Sequence, residues 1–71
     1  LDGGKDGLVA IREIVNRAPE YLRSGGVLLL EMMMGQGDAV AELLSAHSDY
    51  CEIQIHSDLA GIQRFAQAYR L

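Results

Sequence analysis

Between Leu8 and Leu22 the apolar positions Leu8, Ile11, Ile14, Val15, Ala18 and Leu22 recur at steps of three and four, the spacing of one helix face. Asp6 stands where an N-cap carboxylate would accept a backbone N–H and favour the positive end of the helix dipole. Pro19 has no N–H to continue the ladder, so the helix is expected to end or kink near Arg17 and Ala18. A short further turn over Glu20 to Arg23 is then stopped by Ser24-Gly25-Gly26. Val27 to Met33 is apolar except at Glu31, which predicts an interior strand of a parallel sheet, covered on both faces. A second helix is expected from an Asp38 N-cap, with Val40, Leu43, Leu44 and His47 on one face. Tyr50 to His56 alternates, Cys51, Ile53 and Ile55 pointing one way and Tyr50, Glu52, Gln54 and His56 the other. Ser57 to Gln63 reads as a connection around Gly61. Arg64 to Arg70 alternates again, with Phe65, Gln67 and Tyr69 opposite Ala66, Ala68 and Arg70.

The order is therefore helix, strand, helix, strand, strand. A strand–helix–strand crossover predicts a parallel pair, and the short last connection an antiparallel hairpin. The expected fold class is α/β, with a mixed three-stranded sheet that is half of a doubly wound fold.

Composition narrows the function. Seventy-one residues make one domain at most, and a chain of this size buries only about 60% of the surface it exposes when unfolded. With 49% hydrophobic and 23% charged residues it has the make-up of a globular domain. Its apolar run is far too short to span a bilayer. The formal charge is −4, and the six basic residues are scattered from Lys5 to Arg70, so no phosphate-binding face is expected and nucleic acid is disfavoured as a partner. The single Cys51 excludes an internal disulfide. His47, Cys51 and His56 lack the spacing of a zinc motif, and alternation would turn His56 away from Cys51, so no metal site is expected. Cys51 reads as an apolar filler, and Met32 to Met34 as core. Gly35-x-Gly37 before a helix only imitates a phosphate loop. A start at Leu1, without Met or a signal-peptide pattern, reads as a segment of a longer cytoplasmic protein.

Several segments, in order along the chain, carry a resemblance: Leu1-Asp2-Gly3-Gly4-Lys5-Asp6-Gly7-Leu8, Ala18-Pro19 through Leu22, and Gly25-Gly26 entering Leu28-Leu29-Leu30-Glu31. Gln36-Gly37 with Ala39-Val40, and Asp58-Leu59-Ala60-Gly61 followed by Arg64, complete it. Together they resemble the C-terminal portion of the HemK-type (PrmC) release factor glutamine methyltransferases. The resemblance implies a parent enzyme that transfers a methyl group from S-adenosylmethionine to the side-chain amide nitrogen of the Gly-Gly-Gln glutamine in peptide release factors. It also implies a Rossmann-like seven-stranded sheet whose final, antiparallel strand inserts beside the fifth. Residues 1–71 would then be an incomplete domain carrying the fifth, sixth and seventh strands.

The family's Gly-rich cofactor loop, the acidic residue that holds the cofactor ribose, and its Asn-Pro-Pro-Tyr motif are absent from these residues. An amide is a poor nucleophile whose lone pair must be oriented and whose developing charge must be drained by acceptors; those acceptors are expected upstream, so no catalytic or cofactor-binding residue is expected here. The chain also departs from the family at Met32-Met33-Met34-Gly35, where Ile-Gly is frequent, and at Ile62-Gln63-Arg64-Phe65, where an Asp-Arg-Val pattern is frequent.

What remains are candidates for the substrate rim. Ligands of open α/β sheets bind beyond the carboxyl ends of the parallel strands, and the loops Leu1–Gly4, Met33–Gly37 and Ser57–Gln63 are expected there. Asp2 either shapes that wall or makes a plain turn. Glu31 either faces substrate or makes a structural hydrogen bond. Asp58 either orients a peptide or stabilises an Asx-type turn, and Arg64 is placed to pair with it. The competing readings are a stand-alone α/β protein-interaction module and a fragment of another amino-methyltransferase. Cut from its parent, the chain is expected to be inactive and to associate with itself or be unstable, because the edge of the strand at Val27 to Met33 would be left open.

Overall fold

The computed structural model describes residues 7–71. Helix α1 spans Val9–Arg17, a 3-10 turn Ala18–Glu20, strand β1 Val27–Glu31, helix α2 Gly37–Ala46, strand β2 Tyr50–Ser57 and strand β3 Gln63–Arg70. Helix α1 stops where Pro19 requires, and Pro19 sits in the first turn of the 3-10 segment, where its missing N–H costs nothing. Asp6, the expected cap of α1, lies outside the described residues; Leu8 occupies the N-cap position. Asp38 is not the cap of α2 either. The helix begins one residue earlier, with Gln36 as N-cap and Asp38 in the first turn, where its charge still suits the dipole.

The sheet corrects the expected topology. Its order is β1-β3-β2, and β3 pairs antiparallel with both neighbours. Strands β1 and β2 run in the same direction across the α2 crossover, but β3 separates them, so the predicted parallel pair does not form and the sheet is antiparallel rather than mixed. The short 58–62 turn returns β3 into the gap that the crossover leaves open. Insertion of the last strand beside the first agrees with the placement the resemblance implies. β3 is extended at its far end, where Gly25 N–H donates to the Arg70 carbonyl and Arg70 N–H to Gly26, each at 2.8 Å.

β1 is therefore an edge strand with one open face, not an interior strand. Leu28 and Leu30 lie opposite Ala68 and Ala66 on the core face, whereas Val27 and Leu29, opposite Tyr69 and Gln67, are 50% and 59% exposed. The core joins Leu8, Ile11 and Val15 of the α1 segment to Val40 and Leu44 of α2 and to Leu30, Tyr50, Ala66 and Ala68 of the sheet. Both helices thus cover the same face. The methionine run divides: Met32 is buried, but Met33 and Met34 stand out in the turn after β1.

β2 departs from simple alternation. Cys51 pairs with Tyr69 and Gln54 with Gln67, so β2 carries one residue more than β3 between these pairs, a β-bulge. Glu52 absorbs the irregularity with φ of 50°. The extra residue reverses the phase. Tyr50 joins the core face with Ile53 and Ile55, and Cys51 moves to the open face with Gln54 and His56. On that open face His56 Nε2 and Gln67 Oε1 lie 2.9 Å apart, and Gln67 Nε2 donates to the Tyr69 hydroxyl at 3.0 Å.

Candidate functional site

Because β1 and β2 run the same way, their carboxyl ends meet at one edge of the sheet, where the turn after β1 and the 58–62 turn lie side by side. Met32 N–H donates to the Arg64 carbonyl at 2.9 Å. At the start of α2 the approach is closer still: a Cβ on Gly37 would meet the Gln63 carboxamide, which would have to move aside. Two of the three loops expected at this edge are thus brought together. Leu1–Gly4, with Asp2, lies outside the described residues.

Asp58 is occupied by its own turn. Oδ1 accepts the Ala60 and Ile62 N–H groups at 2.9 and 3.0 Å, and Oδ2 accepts Arg64 Nε at 3.0 Å. The Ile62 N–H, then the Arg64 guanidinium, hold its carboxyl below the ordinary carboxylate range. The Asp58–Arg64 pair is formed, and because both side chains reach solvent it contributes little to stability. This geometry makes Asp58 a turn-former and leaves Leu59, at its tip, fully exposed. Glu31 ends β1 on the open face opposite Phe65 and is solvated.

Sequence reasoning assigned no role to Gln36. It is the buried polar residue of the described chain, 8% exposed. Its Oε1 accepts Met33 N–H at 2.8 Å, its own N–H donates to the Met33 carbonyl at 3.1 Å, and Nε2 donates to the Gly7 carbonyl at 3.2 Å. A glutamine directly before a glycine at a helix start was the available signal, because such a side chain is free to cross to another loop.

No cluster of three or more His, Cys, Asp or Glu placed to hold a metal occurs among the described residues. A groove of about 420 Å³ lies between Ile14, Arg17, Tyr21, Leu22 and Leu28, beside the open edge of β1. Its walls are apolar, with Glu13 and Arg17 at the rim, paired at 3.5 Å. A sulfonium-bearing nucleoside needs polar partners for its ribose and amino-acid ends, and this groove offers none that are buried. The lining of this groove therefore does not suit S-adenosylmethionine. No helix among the described residues is long and apolar enough to cross a membrane.

The described residues form a small α/β unit with its helices on one face of an antiparallel sheet. Comparison of sequences shows the chain to be homologous over its full length to proteins named release factor glutamine methyltransferase. It is similar to the protein of that name from Synechocystis sp., at 54% identity over all 71 residues and 24% of the relative. The Gloeobacter violaceus protein of the same name is 49% identical over 97% of this chain and 24% of its own. That of Moorella thermoacetica is 46% identical over 99% of this chain and 25% of its own. The chain thus spans about a quarter of the length of the curated relatives it matches. No protein-family profile matches the chain, and no solved structure matches it significantly.

Proposed function

We propose that this chain is the C-terminal part of an S-adenosylmethionine-dependent protein-glutamine N-methyltransferase, and that the whole enzyme methylates the Gly-Gly-Gln glutamine of peptide release factors in the cytoplasm. The end-to-end similarity to relatives bearing that name carries the reading. The one-sided sheet supports it. Open α/β sheets are covered on both faces, whereas here Val27, Leu29 and Phe65 of one face are exposed among the described residues. In this reading the chain contributes the carboxyl edge of the sheet, with Glu31, Asp58 and Arg64 on the substrate rim, Asp58 and Arg64 shaping it through the turn they close. Asp2 belongs to the same rim by its place in the sequence. The methyl-transfer site itself is supplied by the remaining three quarters of the protein. The scattered basic residues favour a protein substrate over a nucleic acid.

The test uses the full-length protein, purified release factor and methyl-labelled S-adenosylmethionine. Label is expected on the nitrogen of the Gly-Gly-Gln glutamine, and none with residues 1–71 alone. Absence of label with the full-length protein, or label on another residue, overturns the reading.

The same open surface leads us to propose that residues 1–71 alone self-associate. Among the described residues the outer edge of β1 is paired with no strand, and it is flanked by Val27, Leu29 and the apolar groove. Sedimentation equilibrium is expected to show dimers or larger species whose population rises with concentration. Leu29→Lys should shift that equilibrium to monomer. A wild-type chain that stays monomeric and folded at high concentration overturns the expectation.

A further inference from the structure

The turn after β1 and the start of α1 are distant in sequence, yet they are joined at the edge where a sheet of this kind receives its ligands. Leu8 and Met32 share the core, and one side chain adds a polar link. Gln36 closes its own turn through Oε1 and its backbone N–H, which leaves Nε2 aimed at the Gly7 carbonyl 29 residues earlier in the chain. The other partner is shaped to match. Gly7 has φ of +71°, a conformation that favours glycine, and a Cβ there would stand 2.8 Å from Gln36 Nε2 and push it from its place. A buried carboxamide held at both ends by backbone groups has one permitted orientation, because reversing it would set acceptor against acceptor and donor against donor. Its burial also excludes water that would otherwise compete for the Gly7 carbonyl.

We infer that Gln36 is a positioning residue, one that fixes the backbone entering α1 at Gly7 against the carboxyl edge of the sheet and so sets the geometry of the substrate site in the whole enzyme. The inference rests on the methyltransferase reading above for its catalytic consequence and on the Gln36–Gly7 contact for its structural one. Gln36 bonds the backbone of Met33 and Gly7. It acts through the chain it holds, and misplacement of reacting groups by about 1 Å costs up to roughly a hundredfold in rate.

Two variants divide its roles. Gln36→Glu retains an acceptor for Met33 N–H but has no donor for Gly7, and Gln36→Leu removes both. Gly7→Ala attacks the same contact from the other side. All three are made in the full-length protein. Hydrogen exchange followed by mass spectrometry should show faster exchange in the peptide covering Gly7 and Leu8 in each variant. Gln36→Glu should leave Met33 protected and Gln36→Leu should not. In the methylation assay kcat should fall roughly ten- to a hundredfold, more than any shift in the thermal midpoint accounts for, with KM for S-adenosylmethionine little changed.

Unchanged exchange at Gly7 and Leu8 in all three variants overturns the inference. So does a loss of activity that tracks the thermal midpoint, or one that falls on KM alone. A wild-type protein without methyltransferase activity overturns the functional reading instead. The exchange pattern would then still decide whether Gln36 holds Gly7, and Gly7→Ala would still decide it if the Gln36 variants failed to fold.

Discussion

Replacing Leu44 with alanine should remove about 2–5 kcal/mol of stability. Leu44 is 1% exposed and lies where α2 meets the sheet, with Val40 one turn before it at 0%. Leu44 belongs to the one core that also holds Leu30, Tyr50, Ala66 and Ala68 of the sheet, so truncating it leaves a cavity in that core. A domain of this length has a total stability of about 4–11 kcal/mol. The substitution therefore consumes a large share of it, and the thermal midpoint should drop by roughly 10 °C or more. Ser45→Ala, on the exposed side of the same helix, should stay within about 0.5 kcal/mol of the wild type. Thermal unfolding followed by circular dichroism, with all variants at one protein concentration, measures both. A loss for Leu44→Ala no larger than that for Ser45→Ala would refute the described packing.

The second large effect concerns Tyr50. A helical carbonyl accepts from the N–H four residues on, and the residue four after Val15 is Pro19, which has none. The Tyr50 hydroxyl takes that place, donating to the Val15 carbonyl at 2.6 Å in the core. Arg70 Nε reinforces the joint by donating to the Pro19 carbonyl at 2.9 Å. Tyr50→Phe keeps the ring and strands a buried carbonyl, which should cost about 1–3 kcal/mol. Pro19→Ala restores an N–H at residue 19, so the cost of Tyr50→Phe should be smaller in that background. Equal costs in the two backgrounds would show that the hydroxyl does not stand in for the missing helix donor. Burial, with the charge of Asp49 adding and that of Arg70 opposing, raises the Tyr50 phenol above its ordinary value. A raised phenol favours the folded state below the pKa of the unfolded chain, and this contribution is lost as alkaline pH passes through the folded value. Tyr50→Phe should therefore weaken the alkaline decline in stability.

The core facing of α1 and α2 was legible because a helical period needs only local spacing: Ile11, Val15, Val40 and Leu44 are buried as the pattern requires. Ile14 shared that pattern and is 43% exposed, since it lies on the flank that the groove leaves uncovered. The alternation read for Arg64 to Arg70 holds from Phe65 onward, while the register slips at the start of β3, where Ser57 pairs with Gln63. That of β2 was legible only beyond the bulge. One added residue reverses which face every earlier side chain meets, and no residue type in Tyr50-Cys51-Glu52 announces it.

The candidate site divides in the same way. The Asp58 turn could be read from residues, because its donors and acceptors lie within six positions of one another. Gln36 could not, since a polar residue in a loop reads as solvated until a second segment brings it a carbonyl.

The sequence alone determined the elements, the stop at Pro19 and the family resemblance, because each depends on local dihedral preference, short-range spacing or ordered motifs. Only the tertiary structure decided that β3 inserts between β1 and β2, that Tyr50 supplies the donor Pro19 lacks, and that Gln36 joins the two ends of the site. The β1–β3, Tyr50–Val15 and Gln36–Gly7 contacts each join partners 29 or more residues apart, and they follow from the burial of one shared face rather than from any pattern within a segment.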